Sequence, residues 1–200
     1  MAGMVSPVTD ERTGLLEFLA QQRYVLRLAA FGVTEEQLWA TPTAGALSLG
    51  GLLKHVAAVE EHWIGLVLQQ PDNAIPEDYG RDFRREPTDS IDAVLDRYAA
   101  VARHTEDVIA RMDLDQPVPV PPGVPWFPDD VEAWSVRWVL LHLIEETARH
   151  AGHADIVRES VDGATAFPLM AAAEGWRDAV DPGLGAADRA ANVILSPATL

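Results

Sequence analysis

At 200 residues, 48% of them hydrophobic and 23% charged, the chain has the composition of a globular protein with room for a sizeable core. Its formal net charge of −16 would repel nucleic-acid phosphates and anionic lipid alike, and no basic stripe offsets it, so neither partner is expected. With no cysteine there is no disulfide framework, no Cys-ligated zinc and no protein thiol nucleophile, so sulfur chemistry here must use a thiol from outside the chain.

The stretch from Met1 to Gly14 lacks a basic region followed by an apolar core, and no apolar run approaches membrane-spanning length, which predicts a cytoplasmic protein. Thr9 or Asp10 caps a first helix carrying Leu15, Leu16, Leu19, Val25 and Leu28 at helical spacing, ended by Phe31-Gly32. Thr34 with Gln37 reads as a capping box opening a short turn through Trp39, and Thr41 to Ala46 is a loop. Ser48 caps a second long helix, Leu49 to Gln69, with an apolar stripe of Leu52, Val56, Val59, Trp63, Leu66 and Val67, closed by Pro71.

From Asp72 to Pro87 the chain reads as an exposed connection with little regular structure. Thr88 or Ser90 starts a third helix, running to about Met112. The following DLDQPVPVPPGVPWFPDD holds too much proline for a helix or a central strand, and is expected to be an extended crossing segment. Its Trp126 and Phe127 suit either a lid or a plug over one end of the helices. A fourth helix is expected from Asp130 or Ala133 to Val161, stopped by Asp162-Gly163. A short fifth helix over Phe167 to Trp176 and a loosely held tail from Asp181 complete the reading, with no strand pattern anywhere. The sum is an all-α protein, a four-helix bundle with a long Pro-rich crossover before the fourth helix, in a domain over 1–163 with a C-terminal extension over 164–200.

The fourth helix carries the unusual feature. Glu146, His150 and His153 fall in the same arc as Val136, Val139, Leu143, Thr147, Ala154 and Val157. A carboxylate and imidazoles on an apolar stripe require a metal, a hydrogen-bond network or a water-filled pocket. Glu146 and His150, one helical turn apart, can reach one ion, and His55 on the second helix can supply a third ligand, leaving an open position of the catalytic type. Spacing alone does not separate this from a hydrogen-bonded histidine cluster; a His142/Glu146 pair competes for the same role, and His153, three residues after His150, could replace either. His62 reads as a pocket residue or as a satisfied histidine near a helix end, and His104 as a surface residue. Glu145, Arg149 and Arg158 fall off the apolar stripe and are expected in solvent. The serines show no nucleophile motif, no glycine loop suits a phosphate, and the paired Glu-x-x-His elements of a di-iron site are missing.

SLGGLLKHVAAVEEHW (Ser48 to Trp63) and SVRWVLLHLIEETARHAGHADIVRESVDG (Ser135 to Gly163), with ERTGLLEFLAQQR near the start, give the chain a clear resemblance over roughly Asp10 to Gly163. It resembles the DinB-like superfamily of four-helix metalloproteins, in its DUF664 branch. The resemblance implies a metal held by His55, Glu146 and His150. Many relatives have histidine at both fourth-helix positions; the glutamate here is similar to the branch of mycothiol-dependent maleylpyruvate isomerase and the mycothiol S-transferases.

The implied activity is transfer of a low-molecular-weight thiol, mycothiol or one like it, to an electrophile at a divalent metal, expected to be zinc. The alternatives are a hydrolase that activates water on the metal and a non-catalytic, metal-stabilised binding protein. His153, where many relatives have glutamine, is expected to support the ligands, and His62 and Trp126 to contact the thiol. A homodimer is a further expectation from the resemblance.

Overall fold

The computed structural model describes residues 3–71, 78 and 80–175. Its elements run α1 (Glu11–Ala29), α2 (Glu35–Trp39), α3 (Leu49–Val67), a 3-10 turn (Arg81–Phe83), α4 (Ile91–Ile109), β1 (Pro117–Pro119), β2 (Ala133–Ser135), α5 (Val136–Asp162) and α6 (Ala166–Glu174). The fold is all-α, with α1, α3, α4 and α5 as its long helices.

Side-chain caps set where the helices begin. Asp10, Ser48, Ser90 and Ser135 each accept a backbone N–H from the first turn that would otherwise lack a partner. Thr34 and Gln37 complete the expected capping box. At the far end of α5, Gly163 takes the left-handed conformation, φ 80°, that glycine enters without steric cost.

The apolar faces of the long helices meet in two clusters. One gathers Leu26, Leu38, Leu52, Val56, Tyr98, Ala154 and Val157; the other gathers Leu19, Trp63, Ile64, Ile109, Val139, Leu140 and Leu143. Between them along α1, α3, α4 and α5 lie Arg23, Glu60, Thr105 and Thr147, all buried. The Arg23 guanidinium donates to both Glu60 oxygens, at 3.0 and 2.5 Å, and the Thr105 hydroxyl donates to one of them. A buried charge pair survives in such a place only when its hydrogen bonds are satisfied, and this one ties three helices at a single level.

The proline-rich crossover departs from expectation. β1 pairs antiparallel with β2, Val118 opposite Trp134, where no strand is anticipated from the sequence. In a two-stranded ladder both strands are edges, so Pro117 and Pro119 can leave their missing N–H groups on the outer side while Val118 turns inward and is fully buried. Ala133 to Ser135 consequently belong to β2, and α5 begins at Val136 instead of at Asp130 or Ala133.

Arg158 is a second correction: it is buried, where a solvated side chain is expected. It donates to the carbonyls of Ala29 (2.8 Å) and Phe31 (2.7 Å), satisfying acceptors at the end of α1, and pairs with Asp162. Glu145 and Arg149 are exposed as expected. On α6, Leu169 and Met170 pack against Leu28 of α1. Trp176 and the tail from Asp181 lie outside the described residues.

Candidate metal centre

The Ser48 cap starts α3 and the Ser135 cap starts α5, and the two helices pack so that His55 faces Glu146 and His150. Glu146 Oε1 lies 3.5 Å from Nε2 of His55 and 3.1 Å from Nε2 of His150. One ligand atom from each of the three lies within 4.8 Å of the others, and among the described residues this is the group that could hold an ion. Two imidazole nitrogens and one carboxylate oxygen form a donor set suited to a divalent cation such as zinc, with a coordination position to spare. The residues present therefore fit a metal.

Hydrogen bonds from His150 first, and His55 second, hold the Glu146 carboxyl well below the usual carboxylate range, against the opposing effect of burial. Nδ1 of His150 meets Nδ1 of His153 at 3.3 Å. Of those two nitrogens one must donate and the other accept. The structure thus brings His153 against a member of the triad, on the side away from Glu146.

A cleft of about 1460 Å³ opens beside the triad, with His55 and Glu146 in its wall. Residues four apart on one face of the chain build much of the rest: Trp134 and Trp138 stack at 4.9 Å, planes 10° apart, and Trp138 and His142 stack at 5.4 Å, planes 11° apart. Glu146 and His150 continue the same row. From α3, Trp63 meets this ladder edge-on, 4.6 Å from His142 and 5.1 Å from Trp134. Phe127 packs on both Trp63 and Trp134, while Trp126 lines the cleft and stays 58% exposed. The crossover therefore both plugs the aromatic cluster and rims the cleft.

A family model described as Mycothiol-S-transferase matches residues 14–163. The chain belongs to the mycothiol S-transferase family. No curated protein matches it.

Within this family member the structure brings together His55, Glu146 and His150, adds His153 behind His150, and lines the cleft with His62 and Trp126. His142 belongs to the aromatic ladder and lies outside the group that could share an ion. His104 is exposed. Sequence reasoning did not single out Trp134, Trp138 and Phe83. The first two carried a signal, the four-residue repeat that ends in Glu146 and His150. Phe83, whose ring lies 4.3 Å from that of His55, carried none, because it comes from a segment read as an exposed connection.

Proposed function

We propose that the protein is a metal-dependent thiol S-transferase in which His55, Glu146 and His150 hold a divalent cation, zinc, beside a cleft that receives a mycothiol-type thiol and an electrophile. The observation carrying this reading is the convergence of three ligand atoms within 4.8 Å next to a cleft of about 1460 Å³, in a member of this family. When bound, the cation supplies the Lewis acidity that keeps a thiol ionised at neutral pH.

The chain's own residues have separate tasks. Glu146 stays a carboxylate, so the site can offer one negative and two neutral ligands. Were Nε2 of His150 to hold the ion, its Nδ1–H would donate to Nδ1 of His153, and that contact would hold the ring of His150 in place. The Trp63, Trp134 and Trp138 wall excludes water and offers flat apolar surface to the reacting molecules, with Trp126 and His62 along the same cleft as contacts for the thiol. Since the chain has no cysteine, the transferred sulfur comes from the thiol substrate. Ionisation of the thiol releases its proton to solvent, and thiolate attack then forms the new carbon–sulfur bond as the bond to a leaving group on the electrophile breaks and that group departs with the electron pair.

The test is metal content and turnover on protein purified without immobilised nickel. One equivalent of zinc, and mycothiol consumption with a bimane electrophile that the His150→Ala variant loses, are expected. Thiol consumption no faster than in that variant removes the transferase reading, and ester or amide hydrolysis in its place favours a hydrolase.

A further inference from the structure

His150 has hydrogen-bonding partners at both ring nitrogens, Glu146 on one side and His153 on the other. His55 does not. Its Nε2 faces Glu146, whereas its Nδ1 is buried with no hydrogen-bond partner among the described residues. A metal-binding histidine is ordinarily aimed by a hydrogen bond on its other nitrogen. What meets the His55 ring instead is Phe83, stacked at 4.3 Å with planes 24° apart, and 6.4 Å from the ring of His150.

Two residues of α3 put Phe83 there. Gly51 lies one turn before His55, and a Cβ at that position would come within 2.7 Å of the Phe83 carbonyl oxygen and 3.2 Å of its Cα. Only a glycine lets the 3-10 turn lie so close against the helix. Lys54, the only lysine in the chain, is buried beside His55. Its ammonium donates to the Arg84 carbonyl at 2.8 Å and to the Asp89 carboxylate, which also accepts the Glu86 N–H at 2.7 Å. Burying an ammonium costs desolvation that an ordinary surface connection has no need to incur. Here it fastens the chain on the residue directly after Phe83.

We propose that Phe83 is the positioning residue for His55: the segment from Arg81 to Asp89, docked on Gly51 and fastened by Lys54, holds the imidazole by its face and takes the place of the missing hydrogen bond. The inference rests on the metal reading above. A ring held flat keeps Nε2 directed at Glu146 and keeps water from the Nδ1 side. Phe83 needs no contact with substrate for this role.

The test compares Phe83→Leu, which keeps an apolar side chain but loses the flat face, with Phe83→Tyr, which keeps the face. Zinc affinity is read by competition with a chromophoric chelator on the full chain, and metal-free stability by thermal unfolding. Phe83→Leu is expected to bind zinc about 10- to 100-fold more weakly while Phe83→Tyr stays within about threefold of wild type, with both metal-free proteins melting close together. Lys54→Met, which frees the segment without touching the ring, is expected to weaken zinc binding in the same direction. Wild-type affinity in Phe83→Leu, or equal losses in the Leu and Tyr variants, overturns the role of the ring face. A wild-type protein that takes up no zinc overturns the functional reading and this inference together, so the two failures are distinguishable.

Discussion

Oε1 of Glu146 lies 3.1 Å from Nε2 of His150, one turn further along α5, and the same oxygen faces His55 on α3. The pair holds the Glu146 carboxyl below its ordinary range, which makes it a source of pH-dependent stability. A carboxyl with a lowered folded-state pKa stabilises the fold fully above the ordinary value, about 4.3, and loses that contribution as pH falls toward the folded value. Metal-free wild type is therefore expected to lose stability relative to Glu146→Gln as pH drops below about 4.3. Urea titrations across that range check this; parallel profiles would show that the pairing has no such effect.

Removing the metal is expected to lower the melting temperature. An ion that binds only the folded state, at a free concentration of about 1,000 times its dissociation constant, contributes about 4 kcal/mol. Chelator should abolish that increment in wild type and change nothing in His55→Ala or His150→Ala. Calorimetry with and without chelator decides the point, and an unchanged wild-type melting curve would count against a bound ion.

Trp138 is 40% exposed in the cleft wall, stacked between Trp134 and His142. Replacing it with alanine is expected to cost about 1–3 kcal/mol, because its stacked face loses contact with Trp134 and His142 while the rest of the ring is already in solvent. Loss of flat contact surface should raise the KM for an aromatic electrophile by about 2- to 10-fold with zinc content unchanged. An unchanged KM would place the reacting molecules elsewhere.

Arg23→Met addresses the polar layer between the two core clusters. It leaves the Glu60 carboxylate, 1% exposed, without its guanidinium partner, and such a break costs about 3–5 kcal/mol. The double variant Arg23→Met/Glu60→Leu should recover much of the loss, since it removes the stranded charge as well. Chemical denaturation of both variants measures this, and a single variant as stable as wild type would mean that the layer contributes nothing.

Arg158→Ala should destabilise by about 1–3 kcal/mol, because the Ala29 and Phe31 carbonyls at the end of α1 would lose their buried donor. Faster hydrogen exchange at the end of α1 is the local readout, and unchanged protection there would assign the arginine a different role.

Much of the helical frame is legible in the chain because caps and apolar spacing are local. Ser48, Ser90, Gly32 and Gly163 mark their boundaries through backbone chemistry that acts within a few residues, and the four-residue step between Glu146 and His150 places both on one face whatever surrounds them. The β1–β2 ladder was not legible, since Pro117 and Pro119 argue against a strand unless its partner leaves both on an edge. Arg158 was misplaced for a similar reason. Its partners are carbonyls on α1, and a helical wheel of α5 does not contain them.

For the site, the residues on their own supply the donors and their spacing, and the exclusion of a protein thiol follows from a chain with no cysteine. Tertiary packing decided which donors meet. His142 and His150 lie equally far from Glu146 along α5, yet His142 turns into the tryptophan ladder while His150 faces His55. It also decided what holds His55, through Gly51, Lys54 and Phe83, residues whose side chains carry no metal chemistry of their own. Local periodicity can put a side chain on a face, but the contact across that face depends on how closely two helices and the chain between them are able to approach.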